Sequence, residues 1–179
     1  ASKISGIWGK GYGSYLTQGT RNGIAGYDAW NAGTALGVDH LFSDVVTLGV
    51  SGGYAYGNVD SDVNNANTYI NSAQTTVYGG YEDKNLPFFI DAAGSFAWNW
   101  YQGQRDINVG NTILRTANAQ YDGQQYGAYI GGGYKFDMTK NIEFTPLLSL
   151  QYNHLQLQSY TETEAGALNL SVASQGYDQ

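Results

Sequence analysis

Between Val45 and Gly57 the chain alternates strictly. Val46, Leu48, Val50, Tyr54 and Tyr56 occupy even positions, and Thr47, Gly49, Ser51, Gly53 and Ala55 fall between them. Successive side chains of a β-strand point to opposite faces. A period of two therefore sets an apolar, tyrosine-ended surface against a small, mildly polar one. The pattern returns along the chain and predicts eight strands, near residues 5–17, 27–42, 45–58, 72–83, 87–101, 117–137, 141–158 and 167–178. Several run well beyond the ~5–6 residues of an average soluble strand.

The faces separate strand by strand. Trp30, Ala32, Leu36, Val38 and Phe42 oppose Asn31, Gly33, Ala35, Gly37 and Asp39. Phe88, Ile90, Phe96, Trp98 and Trp100 oppose Asp91, Ser95, Ala97 and Asn99. Tyr126, Ala128, Ile130, Tyr134 and Phe136 oppose Gln125, Gly127, Gly131, Gly133 and Lys135. Phe144, Leu148, Leu150 and Tyr152 oppose Glu143, Ser149, Gln151 and Asn153, and Leu168, Leu170 and Val172 oppose Asn169, Ser171 and Ala173. In the fourth strand Ala73, Val77 and Tyr81 face outward, with Gln74, Thr76, Tyr78 and Glu82 inward. The first strand is ambiguous: Lys10 marks the even face as polar, while Trp8 on the same face argues the reverse.

Connections alternate in length. Three are turn-like, at residues 42–45, 83–86 and 137–141; the others, 18–26, 59–71, 102–116 and 159–166, are longer and polar. Aromatic side chains gather at segment ends. Phe42, Phe88 and Phe136 stand beside the short turns, while Trp30, Tyr54, Tyr56, Trp98, Trp100 and Tyr152 complete the set read as two interfacial girdles. Girdles around an aliphatic band, with short turns on one side and long loops on the other, describe an antiparallel transmembrane β-barrel with its short turns in the periplasm.

Composition sharpens this. Charged residues make up 13% of the 179, against ~25% in soluble proteins, and no segment approaches the ~20 consecutive apolar residues of a membrane helix. Prolines number only 2, as long hydrogen-bonded ladders require. The formal net charge of −7 argues against nucleic acid as a partner. No cysteine is present, which excludes thiolate metal sites and disulfides within this chain. His40 and His154 are its only histidines and both fall on apolar faces, so no catalytic triad, metal site or cofactor site is expected, and no enzymatic turnover.

The inward positions decide the width. An eight-stranded barrel has an interior just wide enough to be filled by side chains. Here the residues expected to line the lumen are Asp39, Gly49, Ser51, Gly53, Glu82, Asp91, Asn99, Gln125, Lys135, Glu143 and Gln151, many of them small. Such a lining implies a wider conduit, of which these strands form part. Residues 1–179 are therefore expected to be a single outer-membrane barrel domain without its last strands.

Three stretches carry a family resemblance. Gly33-Thr34-Ala35-Leu36-Gly37-Val38-Asp39, Thr47-Leu48-Gly49-Val50-Ser51-Gly52-Gly53-Tyr54, and the run from Pro146 to Tyr152 followed by Tyr160 to Leu170 resemble segments of the autotransporter β-domain, the translocator of type V secretion, in order and spacing. The resemblance implies a twelve-stranded barrel in the bacterial outer membrane, surrounded by lipid and lipopolysaccharide and inserted by the barrel-assembly machinery. It also implies an N-terminal passenger and a pore-spanning helix, neither of which is found in these residues. The function implied is to anchor and help export that passenger. A passive porin or structural barrel, and an adhesin binding through its long loops, are the alternatives.

Overall fold

The computed structural model describes residues 5–21, 25–63, 65–110, 112–139 and 142–179. Four long strands come first: β1 (Ser5–Gln18), β2 (Tyr27–Phe42), β3 (Val46–Ser61) and β4 (Ala66–Glu82). They are followed by β5 (Phe88–Val109) and β6 (Ile113–Tyr134), each of 22 residues. The short strands β7 (Phe136–Thr139) and β8 (Ile142–Phe144) pair only with each other. Next come β9 (Leu147–Leu157), β10 (Tyr160–Thr161), β11 (Ser171–Val172) and β12 (Gln175–Asp178), with a 3-10 turn at Gly166–Leu168 between β10 and β11. One antiparallel sheet carries eight of these strands in the order β1-β2-β3-β4-β5-β6-β9-β12 and is open, with β1 and β12 at its edges.

The register fixes the faces, because residues directly opposite one another share a face. One row reads Val38, Val50, Val77, Gly94, Ala128 and Tyr152 across six strands. The next reads Asp39, Gly49, Tyr78, Ala93, Tyr129 and Gln151 on the other face. In β1 the ambiguity is resolved. Trp8 lies opposite Gly37 and Lys10 opposite Ala35, so both join the Asp39 face, while Ile7, Gly9 and Tyr15 join the apolar one.

The burial pattern excludes a soluble sandwich. Among the described residues no large side chain is fully buried. Leu36, Leu48, Val50, Val77, Ile90, Ile130, Leu148 and Leu150 are all between 48% and 80% exposed. Among the described residues no second layer covers this band, and a contiguous apolar surface of that extent is foreign to a protein face in water. Hydrocarbon is the solvent that suits it.

Several expectations need correction. Residues 59–71 and 102–116 are mostly strand: β3 runs to Ser61 and β4 begins at Ala66, and β5 runs to Val109 with β6 beginning at Ile113. There the strands outrun the apolar band, both faces carry polar residues, and the alternation that marks a strand fades. The third short turn is replaced by the β7–β8 ribbon, with Lys140 and Asn141 of that turn outside the described residues. Glu143 and Phe136 therefore leave the main sheet, and Glu143 is not part of its inner face. The strand expected at 167–178 forms in two pieces. Leu168 lies in the 3-10 turn, while Ser171–Val172 beside β10 and Gln175–Asp178 beside β9 follow one antiparallel register, extended by the Glu162 N–H donating to the Leu170 carbonyl.

Candidate functional site

The face that carries Asp39 is concave. Tyr12, Asn31, Ala55, Ser72, Asn99 and Gln125 come from six successive strands and line one cavity of about 430 Å³ near the long loops. A second cavity of about 850 Å³ lies near the short turns, lined by Thr47, Tyr78, Glu82, Phe89, Asp91, Tyr129 and Lys135. The loop-side cavity combines amides, hydroxyls and small residues with the apolar side chains of Leu16, Val59 and Ile70. The turn-side cavity carries the charge.

The small residues of this face have partners. Trp8 lies across Gly37 and Tyr78 lies across Gly49, so that a Cβ at either glycine would collide with the ring. The Trp8 indole N–H donates to the Tyr78 hydroxyl at 2.6 Å, and that hydroxyl donates to Asp39 at 3.0 Å. An aromatic ring laid over a bare cross-strand glycine restores the packing the glycine lacks. The result is a polar rivet from β1 across β2 and β3 to β4. Nearby, Lys135 forms an ion pair with Glu82 and places its ammonium 5.7 Å from the centroid of the Phe89 ring.

Of the expected lumen residues, Asp39, Gly49, Ser51, Gly53, Glu82, Asp91, Asn99, Gln125 and Gln151 all fall on the concave face by register. Lys135 reaches it through Glu82. On the convex face Trp30 packs against Tyr56 at 5.5 Å and Tyr56 stacks on Tyr69 at 6.2 Å, near the long loops. Tyr81 stacks on Phe88 at 6.0 Å, and Phe136 contacts Tyr134 at 4.5 Å, near the short turns. Phe42, Tyr54, Trp98, Trp100 and Tyr152 share that face by register.

One constellation escaped the sequence. Beyond the end of β9 the chain continues along the edge of β6, where Gln158 donates to the Asp122 carbonyl and Thr163 exchanges both backbone hydrogen bonds with Asn118, and its side chains reach across the inner face. Tyr160 stacks on Tyr121 at 4.2 Å, and Tyr121 on Tyr101 at 4.8 Å, with planes within 9° and 5° of parallel. Glu162, 7% exposed, receives Arg105 Nε and Nη2 at 2.7 Å each and the Leu170 N–H at 2.8 Å. Arg105 also donates to the Leu168 carbonyl at 3.1 Å. A paired arginine inside a polar stretch was the available signal, hidden because residues 102–116 read as loop.

Arg105 beside Glu162, helped by the Leu170 N–H against the cost of burial, holds the Glu162 carboxyl below its usual pKa. A carboxyl whose pKa is depressed on folding contributes stability that is complete above the unfolded pKa. That stability is lost as pH falls through the folded one. Protease protection of residues 158–174 should hold from neutral pH down to the ordinary carboxylate range, then decline. Loss of protection already at neutral or mildly acid pH would contradict this assignment.

A family model described as the autotransporter β-domain matches residues 7–179. The chain belongs to this family. Among its relatives are outer membrane protein A of Rickettsia conorii, 29% identical over 97% of this chain, and outer membrane protein B of Rickettsia rickettsii, 27% identical over 97%. The match covers 9% and 11% of those two proteins, so this β-domain spans about a tenth of the curated relatives it resembles. Among solved structures, the translocator domain of the autotransporter NalP from Neisseria meningitidis superposes with a TM-score of 0.75 at 13% identity, over 98% of this β-domain and 57% of that chain. That likeness shows the fold: an antiparallel sheet of the translocator-barrel kind.

Proposed function

We propose that this β-domain is the outer-membrane anchor of a longer surface protein and the conduit through which an N-terminal passenger reaches the cell surface. The observation that carries this reading is the two-sided sheet. An uncovered apolar face suits the hydrocarbon of the bacterial outer membrane, and a concave polar face holds two water-accessible cavities. A polypeptide in transit exposes backbone N–H and C=O groups that cost several kcal/mol each if left bare in hydrocarbon. The amides and hydroxyls of Asn31, Ser72, Asn99 and Gln125 keep that path hydrated. The domain works without chemical turnover. Its further partners in this reading are outer-membrane lipid, lipopolysaccharide and the barrel-assembly machinery.

The test is export of the full-length protein in a Gram-negative host. Protease added outside intact cells should digest the passenger of the wild type. When the β-domain is deleted, the passenger should remain in the periplasm, protected until the outer membrane is opened. Surface delivery without the β-domain, or recovery of the β-domain in the soluble fraction, would overturn the proposal. A passive pore would conduct ions in planar bilayers yet leave passenger delivery independent of it.

A further inference from the structure

Two sequence features that strand alternation leaves aside meet at one place. Gly131-Gly132-Gly133 lies near the turn-side end of β6, and the chain's two prolines, Pro87 and Pro146, stand on either side of that end. The Tyr134 N–H donates to the Pro146 carbonyl at 3.3 Å, and the Lys135 N–H to the Pro87 carbonyl at 2.6 Å. The regular β6–β9 ladder stops there, with Gly133 opposite Leu147.

The three glycines are not equivalent. Gly131 and Gly133 face inward, where the Tyr129 and Phe89 rings lie close above them. Gly132 faces outward, between Ile90 of β5 and Leu148 of β9. A Cβ there would collide with the Phe89 carbonyl at 2.7 Å, and among the described residues no ring lies across it. A bare floor between tall neighbours makes a groove of about 640 Å³ on the convex face, walled by Phe88, Ile90, Ile130, Tyr134, Leu148 and Leu150. That is within the ~300–1,000 Å³ of small-molecule sites.

The lining says what fits. Of the side chains along the groove only Tyr134 and Ser149 carry a polar atom, and Ser149 belongs to the concave face by register. A water held in such a place needs about two to four polar partners; hydrocarbon needs none. The groove continues the band that already faces lipid, toward its turn-side girdle, where Tyr134 meets Phe136 at 4.5 Å. Within a bilayer, lipid tails are as apolar as leucine, so close packing rather than release of water decides what associates. A chain laid over Gly132 touches a floor and two walls. Against the even row of Val38, Val50 and Val77 it touches a floor alone.

We propose that this groove seats one acyl chain of a phospholipid in the periplasmic leaflet, with Gly132 as its floor and Tyr134 at its headgroup end. This rests on the reading of the domain as an outer-membrane anchor, and adds to it a specific place where lipid is held.

Photolabelling tests it in the full-length protein. The protein is reconstituted in vesicles of phosphatidylethanolamine and phosphatidylglycerol that contain a phosphatidylcholine with a diazirine midway along one acyl chain. After irradiation the adducts are mapped by mass spectrometry. They should concentrate several-fold on residues 88–90, 130–134 and 146–150 over Val38, Val50 and Val77, which are 49%, 49% and 57% exposed on the same face. Adducts spread evenly over both regions would overturn the seat. Adducts on neither would overturn the membrane reading instead. Ile130→Trp narrows the groove without placing a charge in lipid. It should lose most of the groove adducts and keep those at the valines, which report that the variant is inserted. Undiminished groove adducts in that variant would likewise overturn the seat.

Discussion

Arginine in place of Val77 should prevent the β-domain from reaching its folded, membrane-inserted state, whereas arginine in place of its neighbour Thr76 should be tolerated. Val77 lies in the middle of the row Val38, Val50, Val77, Gly94 and is 57% exposed on the convex face. A charged side chain facing lipid at the bilayer midplane costs about 2–4 kcal/mol. Thr76 sits one residue away on the concave face, opposite Ser51 and Ser95, where a guanidinium finds water and polar neighbours. The measurement is the fraction of protein in the outer membrane, together with its folded mobility on an unheated gel. Equal behaviour of the two variants would mean that the faces are assigned wrongly or that no membrane is involved.

The second large effect is expected at Gly49. Leucine there would occupy the space filled by the Tyr78 ring and force it out, breaking both the Trp8–Tyr78 and Tyr78–Asp39 hydrogen bonds. Overpacking costs about 1–3 kcal/mol, and each lost hydrogen bond adds about 1 kcal/mol. Tyr78→Phe should show the smaller part of this, since the ring still covers Gly49 but the Asp39 carboxylate loses its donor. Gly11→Ala is the control, because a Cβ at Gly11 meets nothing within 4 Å. Urea unfolding in detergent micelles should rank Gly49→Leu well below Tyr78→Phe, and Tyr78→Phe below Gly11→Ala. A Gly49→Leu variant as stable as the wild type would remove the rivet from the account.

Alternation told most of the strand story because two unlike solvents act on the two faces. Where that contrast holds, as from Leu36 to Tyr54 or Phe88 to Trp100, period two is unmistakable and the observed register agrees with it. It fades where the strands rise beyond the apolar band, so the upper parts of β5 and β6 read as loop. It misleads at Leu168, which lies in the 3-10 turn with its carbonyl committed to Arg105. At Leu170 and Val172 the alternation runs into paired backbone beside β10, though the Leu170 N–H goes to the Glu162 carboxylate. Trp8 could not be placed from its own strand because what decides its face lies on its neighbours, a glycine at 37 opposite and another at 49 beyond. Information that depends on which strand lies beside which is not local, and neither the rivet nor the Arg105–Glu162 pair is visible without it.

The sheet order has a kinetic consequence. From β1 to β6 every strand pairs with its neighbours in sequence, and only the small β7–β8 ribbon separates β6 from β9. The connection after β2 is as short as residues 43–45, with Ser43 and Asp44 at φ 52° and 59°. The entropy lost in closing a loop grows with its length, and topologies dominated by nearby pairings fold faster than those that must bring distant segments together. Each strand can therefore dock on one already in place, with no search across the chain. The sheet can grow hairpin by hairpin at an advancing edge, which suits a protein that must exchange water for lipid as it folds.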